Sequence, residues 1–184
     1  MSNIAVTFRQ ATPDDAAFIA AVMLEAVGTG LMEQGLTPNE QTVEICRQTG
    51  TLYSYRNAVI AMVDGKPAGG LISYDGNGYH DIKNHTFELI KSELSFNPFD
   101  MDDETRAGEY YIDCVAVLPQ FRGKGLGRKI IEYAVGQARA LGLPAVIACL
   151  PDNVPAYALY SGMGFETHGT MHVFGEDYLR MVLE

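Results

Sequence analysis

A glycine-rich basic segment, PQFRGKGLGRKI at residues 119–130, carries the clearest chemical signal in this sequence. Glycines stand at every second position, and such residues permit unusual backbone angles and close approach to a guest. Successive N–H groups in such a loop can therefore point at one anion. The glycines are Gly123, Gly125 and Gly127, and the basic residues are Arg122, Lys124, Arg128 and Lys129. Because a simple glycine-capped turn needs only one glycine, this pattern favours a phosphate-binding loop.

Two familiar phosphate-binding patterns do not fit this segment. A Walker loop requires Ser or Thr directly after its Gly-Lys pair, whereas Gly125 follows Lys124 here. The dinucleotide fingerprint requires a glycine three residues after its second glycine, and Arg128 occupies that position. The sequence thus predicts anion binding by exposed backbone groups in a different structural setting.

The strand segment GEYYIDCVAV, residues 108–117, supplies a second group of candidates. Because alternate residues of a strand point to the same face, Glu109, Tyr111 and Asp113 share one face of this strand. Either carboxylate is able to accept a proton from a substrate, directly or through water. Either is also able to pair with a nearby cation in a purely structural role. Both interpretations stay open at this point.

The elements that precede these candidates alternate between strands and helices. Residues 4–10 alternate in polarity like a strand, and Pro13 lies at the start of a helix that extends to about Val27. Pro38 introduces a second helix of roughly ten residues. The pair Asp64-Gly65 favours a tight hairpin between two strands. The first half of the chain therefore predicts the beginning of a sheet with helices beside it.

The second half of the chain predicts an insertion and then further alternation. Residues 76–108 contain an acidic loop and, at residues 87–94, a helical turn or two, and we interpret this region as the insertion. A strand, a helix, a strand, a helix and a hairpin follow, at residues 108–119, 125–142, 144–151, 154–164 and 165–184. This order predicts one α/β domain, residues 1–184, with a mixed, strongly twisted sheet of about seven strands flanked by helices.

The bulk composition argues against several classes of function. The 184 residues carry a net charge of −10 at pH 7, which disfavours binding to nucleic acid or to an anionic membrane. No apolar run approaches the roughly 18 residues of a membrane span, and the first residues do not resemble a signal peptide, so we expect a cytoplasmic protein. The three cysteines are far apart and the four histidines do not cluster, which predicts buried free thiols and no metal site.

Two segments resemble the GNAT superfamily of N-acetyltransferases. Arg122-Gly123-Lys124-Gly125-Leu126-Gly127 is similar to the superfamily signature Gln/Arg-x-x-Gly-x-Gly/Ala, and an apolar strand precedes it as expected. Residues 153–165, NVPAYALYSGMGF, are similar to the superfamily segment Asn-x-x-Ala-x-x-Leu-Tyr-x-x-x-Gly-Phe. The order of the predicted elements agrees with the superfamily over nearly the whole chain.

The resemblance implies acetyl-CoA as co-substrate, without a metal. Splayed parallel central strands would leave backbone groups able to pair with the pantetheine arm. The loop N–H groups would face the pyrophosphate, and the basic side chains would neutralise the phosphates. The cofactor-binding residues implied are Val115, Val117, Arg122, Gly123, Lys124, Gly125, Leu126, Gly127, Arg128, Asn153 and Tyr157.

The resemblance also implies direct transfer of acetyl to a primary amine of a small molecule or a peptide, in a ternary complex. Tyr160 matches the superfamily's general acid, and a core tyrosine with a satisfied hydroxyl group is the alternative. Asp113 is the preferred base, and Glu109 is its rival. An alternative function is that of a non-catalytic acyl-CoA sensor or interaction module on the same fold.

The acceptor itself is not specified by the sequence. An acidic rim before the catalytic strand would attract a cationic amine, although a solvated loop without a ligand explains the same charges. The acidic residues of this rim are Asp100, Asp102, Asp103, Glu104 and Glu109. The acyl-chain length and the formation of a homodimer are left open as well.

Overall fold

Strands and helices alternate in the computed structural model, which describes residues 5–94 and 97–184. The strands are β1 (Val6–Gln10), β2 (Ala58–Val63), β3 (Lys66–Asp75), β4 (Tyr110–Val117), β5 (Ala145–Cys149), β6 (Glu166–Val173) and β7 (Glu176–Leu183). The α-helices are α1 (Ala16–Ala26), α2 (Leu31–Gln34), α3 (Glu40–Arg47), α4 (Tyr79–Ile90), α5 (Leu126–Leu141) and α6 (Val154–Ser161). Short 3₁₀ turns lie at Pro13–Asp15, Tyr55–Asn57, Lys91–Glu93, Pro98–Asp100 and Pro119–Phe121.

The strands form a seven-stranded mixed sheet with the order β1-β2-β3-β4-β5-β7-β6. The β4–β5 pair is parallel, whereas β1–β2, β2–β3, β5–β7 and β6–β7 are antiparallel. This arrangement confirms the predicted mixed sheet with a parallel central pair. The parallel ladder extends from Tyr110–Ala145 to Ile112–Ile147, and β4 continues beyond it to Val117.

The chain divides into two compact units. The first unit comprises the described residues of Met1–Ser73 together with Cys114–Ala134, and the second comprises those of Tyr74–Asp113 together with Val135–Glu184. Strands β3 and β4 and helix α5 each contribute residues to both units.

In the first unit, two adjacent glycines of β3 allow helices to pack directly on the sheet. A Cβ atom added at Gly70 would lie 2.6 Å from a methyl carbon of Val22 on α1. A Cβ atom added at Gly69 would lie 2.7 Å from the carbonyl oxygen of Ala116 and 2.9 Å from Ile130 on α5. Any larger side chain at either position would separate these layers, because buried atoms are already in close contact.

The start of α1 and the first hairpin follow their local sequence signals. Asp15 accepts hydrogen bonds from the backbone N–H (2.8 Å) and the hydroxyl group (2.9 Å) of Thr12, and the helix begins with a 3₁₀ turn at Pro13. Asp64 and Gly65 have φ angles of +50° and +73°, as a two-residue hairpin turn with the sheet's twist requires. Both features confirm the sequence predictions.

In the second unit, the helix at residues 79–90 is longer than the sequence analysis predicted. The prediction allowed a helical turn or two at residues 87–94, whereas α4 spans 12 residues from Tyr79 to Ile90. Its buried face includes Lys83 and Thr86 as well as apolar residues. These two polar residues interrupt the hydrophobic periodicity by which a buried helix face is recognised in a sequence.

Two further features of the described residues concern the cysteines and the length of the apolar helices. Cys46, Cys114 and Cys149 are all buried free thiols, as predicted. Among the residues that the structure describes, no helix is long and apolar enough to cross a membrane.

Candidate active site

The glycine-rich loop connects β4 to α5 in the first unit and exposes its backbone. Gly123 and Gly125 have φ angles of +70° and +77°, a conformation that side chains disfavour. A Cβ atom added at either glycine would find nothing within 4 Å. Helix α5 starts directly afterwards at Leu126, and its first N–H groups carry the partial positive charge of a helix N-terminus. The loop thus has the geometry that anion binding by backbone groups requires.

Arg122, at the start of this loop, is held by partners within the first unit. Its guanidinium group donates hydrogen bonds to Glu33 and, at 2.7 Å, to Glu25. Its Nε atom donates to the carbonyl oxygen of Val117 at 3.0 Å, and its backbone N–H donates to Pro119 at 3.2 Å. The principal contacts of Arg122 in this structure are therefore those that fasten the loop to α1 and α2.

The other cations of the loop have local partners on the protein surface. Lys124 donates to the carbonyl oxygen of Gln120 at 2.8 Å and lies 5.7 Å from the centre of the Phe121 ring. Arg128 lies 3.8 Å from Glu132, one turn further along α5. Exposed ion pairs contribute only about 0 to 1 kcal/mol. These contacts are weak enough to be exchanged for contacts with a phosphate.

Asp113 lies at the end of the β4 segment in the second unit and is half-buried. Its carboxylate accepts a hydrogen bond from the hydroxyl group of Tyr74 on β3. Burial, and then the neighbouring charge of Asp113, raise the pKa of Tyr74 well above its ordinary value. The tyrosine therefore remains a hydrogen-bond donor throughout the neutral range, and it orients this carboxylate.

Glu109 lies one residue before β4 and occupies a different environment. It is 7% exposed and accepts hydrogen bonds from Arg106 at 2.8 Å and from Thr105 at 3.2 Å. Arg180 on β7 lies 2.6 Å from the same carboxylate. The Glu109 carboxylate is thus held by three side chains of the second unit, whereas the described contact of Asp113 is with Tyr74. Both residues remain candidates for the base.

The predicted acidic rim is wrong for two of its members, because Glu104 and Glu109 are both buried. Asp102 and Asp103 are exposed but have partners within the second unit: Asp102 accepts the N–H of His172 at 2.7 Å. Asp103 lies 2.6 Å from the ammonium group of Lys83, which also donates to the carbonyl oxygen of Met101 at 3.1 Å. The loop is thus attached to α4 and β6 by specific contacts.

Tyr160 lies on α6, a short helix in the second unit. The side-chain oxygen of Asn153 accepts the N–H of Ala156 at 3.2 Å and thereby caps this helix. Tyr157 is 41% exposed on the same helix, whereas Tyr160 is half-buried. Burial, followed by the influence of Cys149, raises the pKa of Tyr160 to about 12. The hydroxyl group thus keeps its proton and can act as a donor.

Sequence reasoning missed Tyr74, Tyr79, Lys83 and the burial of Glu104 as features of this region. Glu104 belongs to the acidic run Asp102-Asp103-Glu104, which is typical of a solvated loop. The contacts of the second unit bring Tyr74 and Asp113 together, and none of this is encoded in local spacing.

Comparison with known proteins identifies the family. A sequence model of the acetyltransferase (GNAT) family matches residues 24–165, which include the glycine-rich loop, β4 and α6. The chain belongs to the acetyltransferase (GNAT) family. This membership confirms the resemblance inferred from the two sequence segments.

Individual relatives of this GNAT protein agree with the assignment. The mycothiol acetyltransferase of Streptomyces griseus subsp. griseus is 39% identical over 66 residues, which are 35% of this chain and 21% of the relative, so the match spans about a fifth of that protein. A crystal structure of an acetyltransferase is 26% identical, with a TM-score of 0.71 over 97% of this chain and 98% of that chain.

A further solved structure shows the same fold. The aminoglycoside acetyltransferase AAC(6')-Ib in complex with coenzyme A is 24% identical, with a TM-score of 0.65 over 97% of this chain and 94% of that chain. At this identity the likeness concerns the fold.

Proposed function

We propose that this GNAT protein is an N-acetyltransferase that transfers an acetyl group from acetyl-CoA directly to a primary amine. The observation that carries the proposal is the exposed loop of Gly123 and Gly125 at the start of α5, in a chain of the acetyltransferase family. The AAC(6')-Ib neighbour is described in complex with coenzyme A, which supports the same type of ligand here.

The residues of the first unit fit the phosphates of acetyl-CoA. Backbone N–H groups from Gly123 to Gly127 would bind the pyrophosphate, because a glycine loop at a helix N-terminus offers several donors to one anion. Lys124 and Arg128 would exchange their weak surface contacts for the nucleotide phosphates. We assign Arg122 mainly to holding the loop, since its guanidinium group already contacts two carboxylates.

The last residues of β4 would bind the pantetheine arm. Strand β4 continues past its ladder with β5, and backbone groups at Val115 and Val117 would pair with the pantetheine amides. The carbonyl oxygen of Val117 accepts from Arg122, and a carbonyl oxygen has a second lone pair for another donor.

The chemistry requires one base and one hydrogen-bond donor. Asp113 accepts a proton from the substrate ammonium group, and the neutral nitrogen attacks the thioester carbonyl carbon. The C–N bond forms, the C–S bond breaks, and the electron pair leaves with the CoA sulfur. The nitrogen then loses its second proton to solvent water, and the thiolate sulfur takes up a proton from solvent to give free CoA.

We assign Tyr160 to the departing sulfur as a hydrogen-bond donor. With a pKa of about 12, its phenol group is a weaker acid than a thiol, whose ordinary pKa is about 8.5. Complete transfer of the proton to the thiolate is therefore unfavourable. A hydrogen bond stabilises the developing negative charge without this transfer.

A release assay tests the proposal. Purified protein is mixed with acetyl-CoA and a panel of primary amines, including cationic ones, and free CoA is measured with a thiol reagent. We expect amine-dependent CoA release and an acetylated amine of the corresponding mass. Binding of acetyl-CoA without release for any amine would instead favour the non-catalytic sensor.

A further inference from the structure

Glu104 is a buried carboxylate whose position the proposed chemistry does not yet explain. It is 7% exposed and belongs to the second unit, in the loop before β4. The hydroxyl group of Tyr111 donates to its Oε2 atom at 3.3 Å, and its main chain hydrogen-bonds to the side chain of Tyr79. A tyrosine thus solvates this acid group, in contrast to the arginines that contact Glu109.

Aromatic rings connect Glu104 to Asp113. The ring of Tyr74, whose hydroxyl group donates to Asp113, lies 6.2 Å from the ring of Tyr79 and 6.0 Å from the ring of Tyr111. Charges interact strongly in such a buried, weakly polarisable environment. Two carboxylates in one such environment do not both ionise readily, because each charge disfavours the other.

We propose that Glu104 is a positioning residue for acetyl transfer: it retains a proton within the same tyrosine cluster that contacts Asp113, so that Asp113 is the ionised member of the pair and accepts the proton of the amine. This inference rests on the proposed function. A tyrosine hydroxyl group donates to each acid, Tyr111 to Glu104 and Tyr74 to Asp113. The proton stays on Glu104 because its carboxyl group is almost fully buried, whereas Asp113 is half-buried and its charge is better solvated.

The charges around Glu104 agree with this assignment. Burial, and then the charge of Asp113, raise the pKa of Glu104 to about 8. The hydrogen bond from Tyr111, and then the charge of Lys83, lower this pKa by smaller amounts, and Lys83 is itself 2.6 Å from Asp103. The titratable groups that face Glu104 are Tyr74 on β3, Tyr79 and Lys83 on α4, Asp103 on its own loop, Tyr111 and Asp113 on β4, and Tyr178 on β7.

During turnover, the proton of Glu104 does not move. One proton passes from the ammonium nitrogen to a carboxylate oxygen of Asp113, and Asp113 returns it to solvent after the product forms. If the shared proton were on Asp113 instead, that residue could not accept another, and the amine would remain protonated. The burial of Glu104 thus determines which carboxylate is available as base.

Infrared spectroscopy tests the location of the proton without any need for turnover. We expect the wild-type protein at about pH 6 to show the C=O stretch of a protonated carboxyl group, and this band to disappear as the pH rises through about 8. Glu104→Gln should lack the band, whereas Glu88→Gln, an exposed acid on α4 in the same unit, should retain it. In Asp113→Asn the band should disappear at a lower pH, because the neighbouring charge is absent.

The pH profile of CoA release tests the link to catalysis. Because glutamine imitates a protonated glutamate, Glu104→Gln should match the wild type below about pH 7, with kcat/KM within about threefold. The wild-type profile should have an inflection near pH 8 that Glu104→Gln lacks. A merely structural role for Glu104 would change the activity at every pH and leave the shape of the profile unaltered.

The outcomes separate this inference from the proposed function. Absence of the carboxyl band in folded wild-type protein, or its persistence in Glu104→Gln, would overturn the inference even if amines are acetylated. A folded Glu104→Gln variant with little activity at pH 6.5 would also overturn it, because a stationary proton would then be insufficient. Failure of every amine to release CoA while the band behaves as expected would reject the transferase function and leave the protonated Glu104 established.

Discussion

At the residue scale, Tyr160 gives the most direct test of the proposed chemistry. Tyr160→Phe retains the aromatic ring and removes the hydroxyl group that would stabilise the departing sulfur. We expect acetyl-CoA to bind as in the wild type and kcat to fall by roughly 100- to 1,000-fold, the loss typical of one hydrogen-bond donor to a developing charge. Calorimetric titration with acetyl-CoA and the CoA-release assay measure the two effects separately.

Tyr133→Phe is the matched control for this substitution. Tyr133 lies on α5 and stacks on Phe8, with ring centres 4.4 Å apart. Tyr133→Phe therefore measures the effect of removing a tyrosine hydroxyl group outside the proposed active site. Unaltered turnover in Tyr160→Phe would remove Tyr160 from the mechanism.

A second prediction at the residue scale concerns the carboxylate of Glu109, which is contacted by one largely buried arginine and one exposed arginine. The side chain of Arg180 is 20% exposed, whereas that of Arg106 is 81% exposed. Arg180→Gln should lower the free energy of unfolding by about 3 kcal/mol, since it removes one partner of a largely buried ion pair. Arg106→Gln should change it by less than about 1 kcal/mol.

Urea denaturation of the two variants measures this difference. Equal losses of unfolding free energy would contradict the assignment of Arg180 and Glu109 as a stabilising buried ion pair.

At the element scale, the glycine-rich loop between β4 and α5 is the proposed binding site for the pyrophosphate of acetyl-CoA. Gly125→Glu would place a negative charge where the pyrophosphate should bind, so acetyl-CoA should no longer raise the melting temperature. The substitution also introduces strain, because Gly125 has a φ angle of +77°. Thermal denaturation with and without acetyl-CoA measures the shift.

Gly175→Glu controls for the strain. Gly175, in the β6–β7 turn, has a φ angle of +79° and nothing within 4 Å of an added Cβ atom. Both variants should be destabilised by similar amounts, but only Gly175→Glu should keep the acetyl-CoA shift. A normal shift in Gly125→Glu would exclude the loop from the binding site.

At the scale of the whole molecule, the shifted pKa values of two carboxyl groups predict how the free energy of unfolding depends on pH. Hydrogen bonds from Arg9 are the main cause that lowers the pKa of Asp15 from 3.8 to about 2, so its contribution to stability is lost as the pH falls through that range. The pKa of Glu104 is raised from 4.5 to about 8, so its folded state binds more protons than its unfolded state, and stability falls as the pH rises between these values. These groups together favour maximal stability at about pH 4 to 5.

Urea denaturation from about pH 2 to 9 measures this profile. Asp15→Asn should reduce the loss of stability on the acid side, and Glu104→Gln should reduce the loss on the alkaline side. A wild-type profile that is flat between about pH 5 and 8 would contradict the predicted state of Glu104.

The sequence by itself determined the features that depend on neighbouring residues. The glycine loop, the helix start at Thr12, the hairpin at Asp64-Gly65 and the order of strands and helices all follow from local conformational preference and hydrophobic spacing. Tyr160 was identified as a candidate through a motif of which most residues lie on one short helix. Such features were predictable because the residues that produce them are adjacent in the chain.

Only the tertiary structure decided which charged groups are buried and which partners they have. Tyr74 and Asp113 are 39 residues apart, and Arg122 is 97 residues from Glu25, yet each pair forms a hydrogen bond. Glu104 looks like a member of an exposed acidic run, but it is buried in the second unit with Tyr111 as a donor. The pKa of an acid depends on burial and on nearby charges from distant segments, and local sequence does not contain that information.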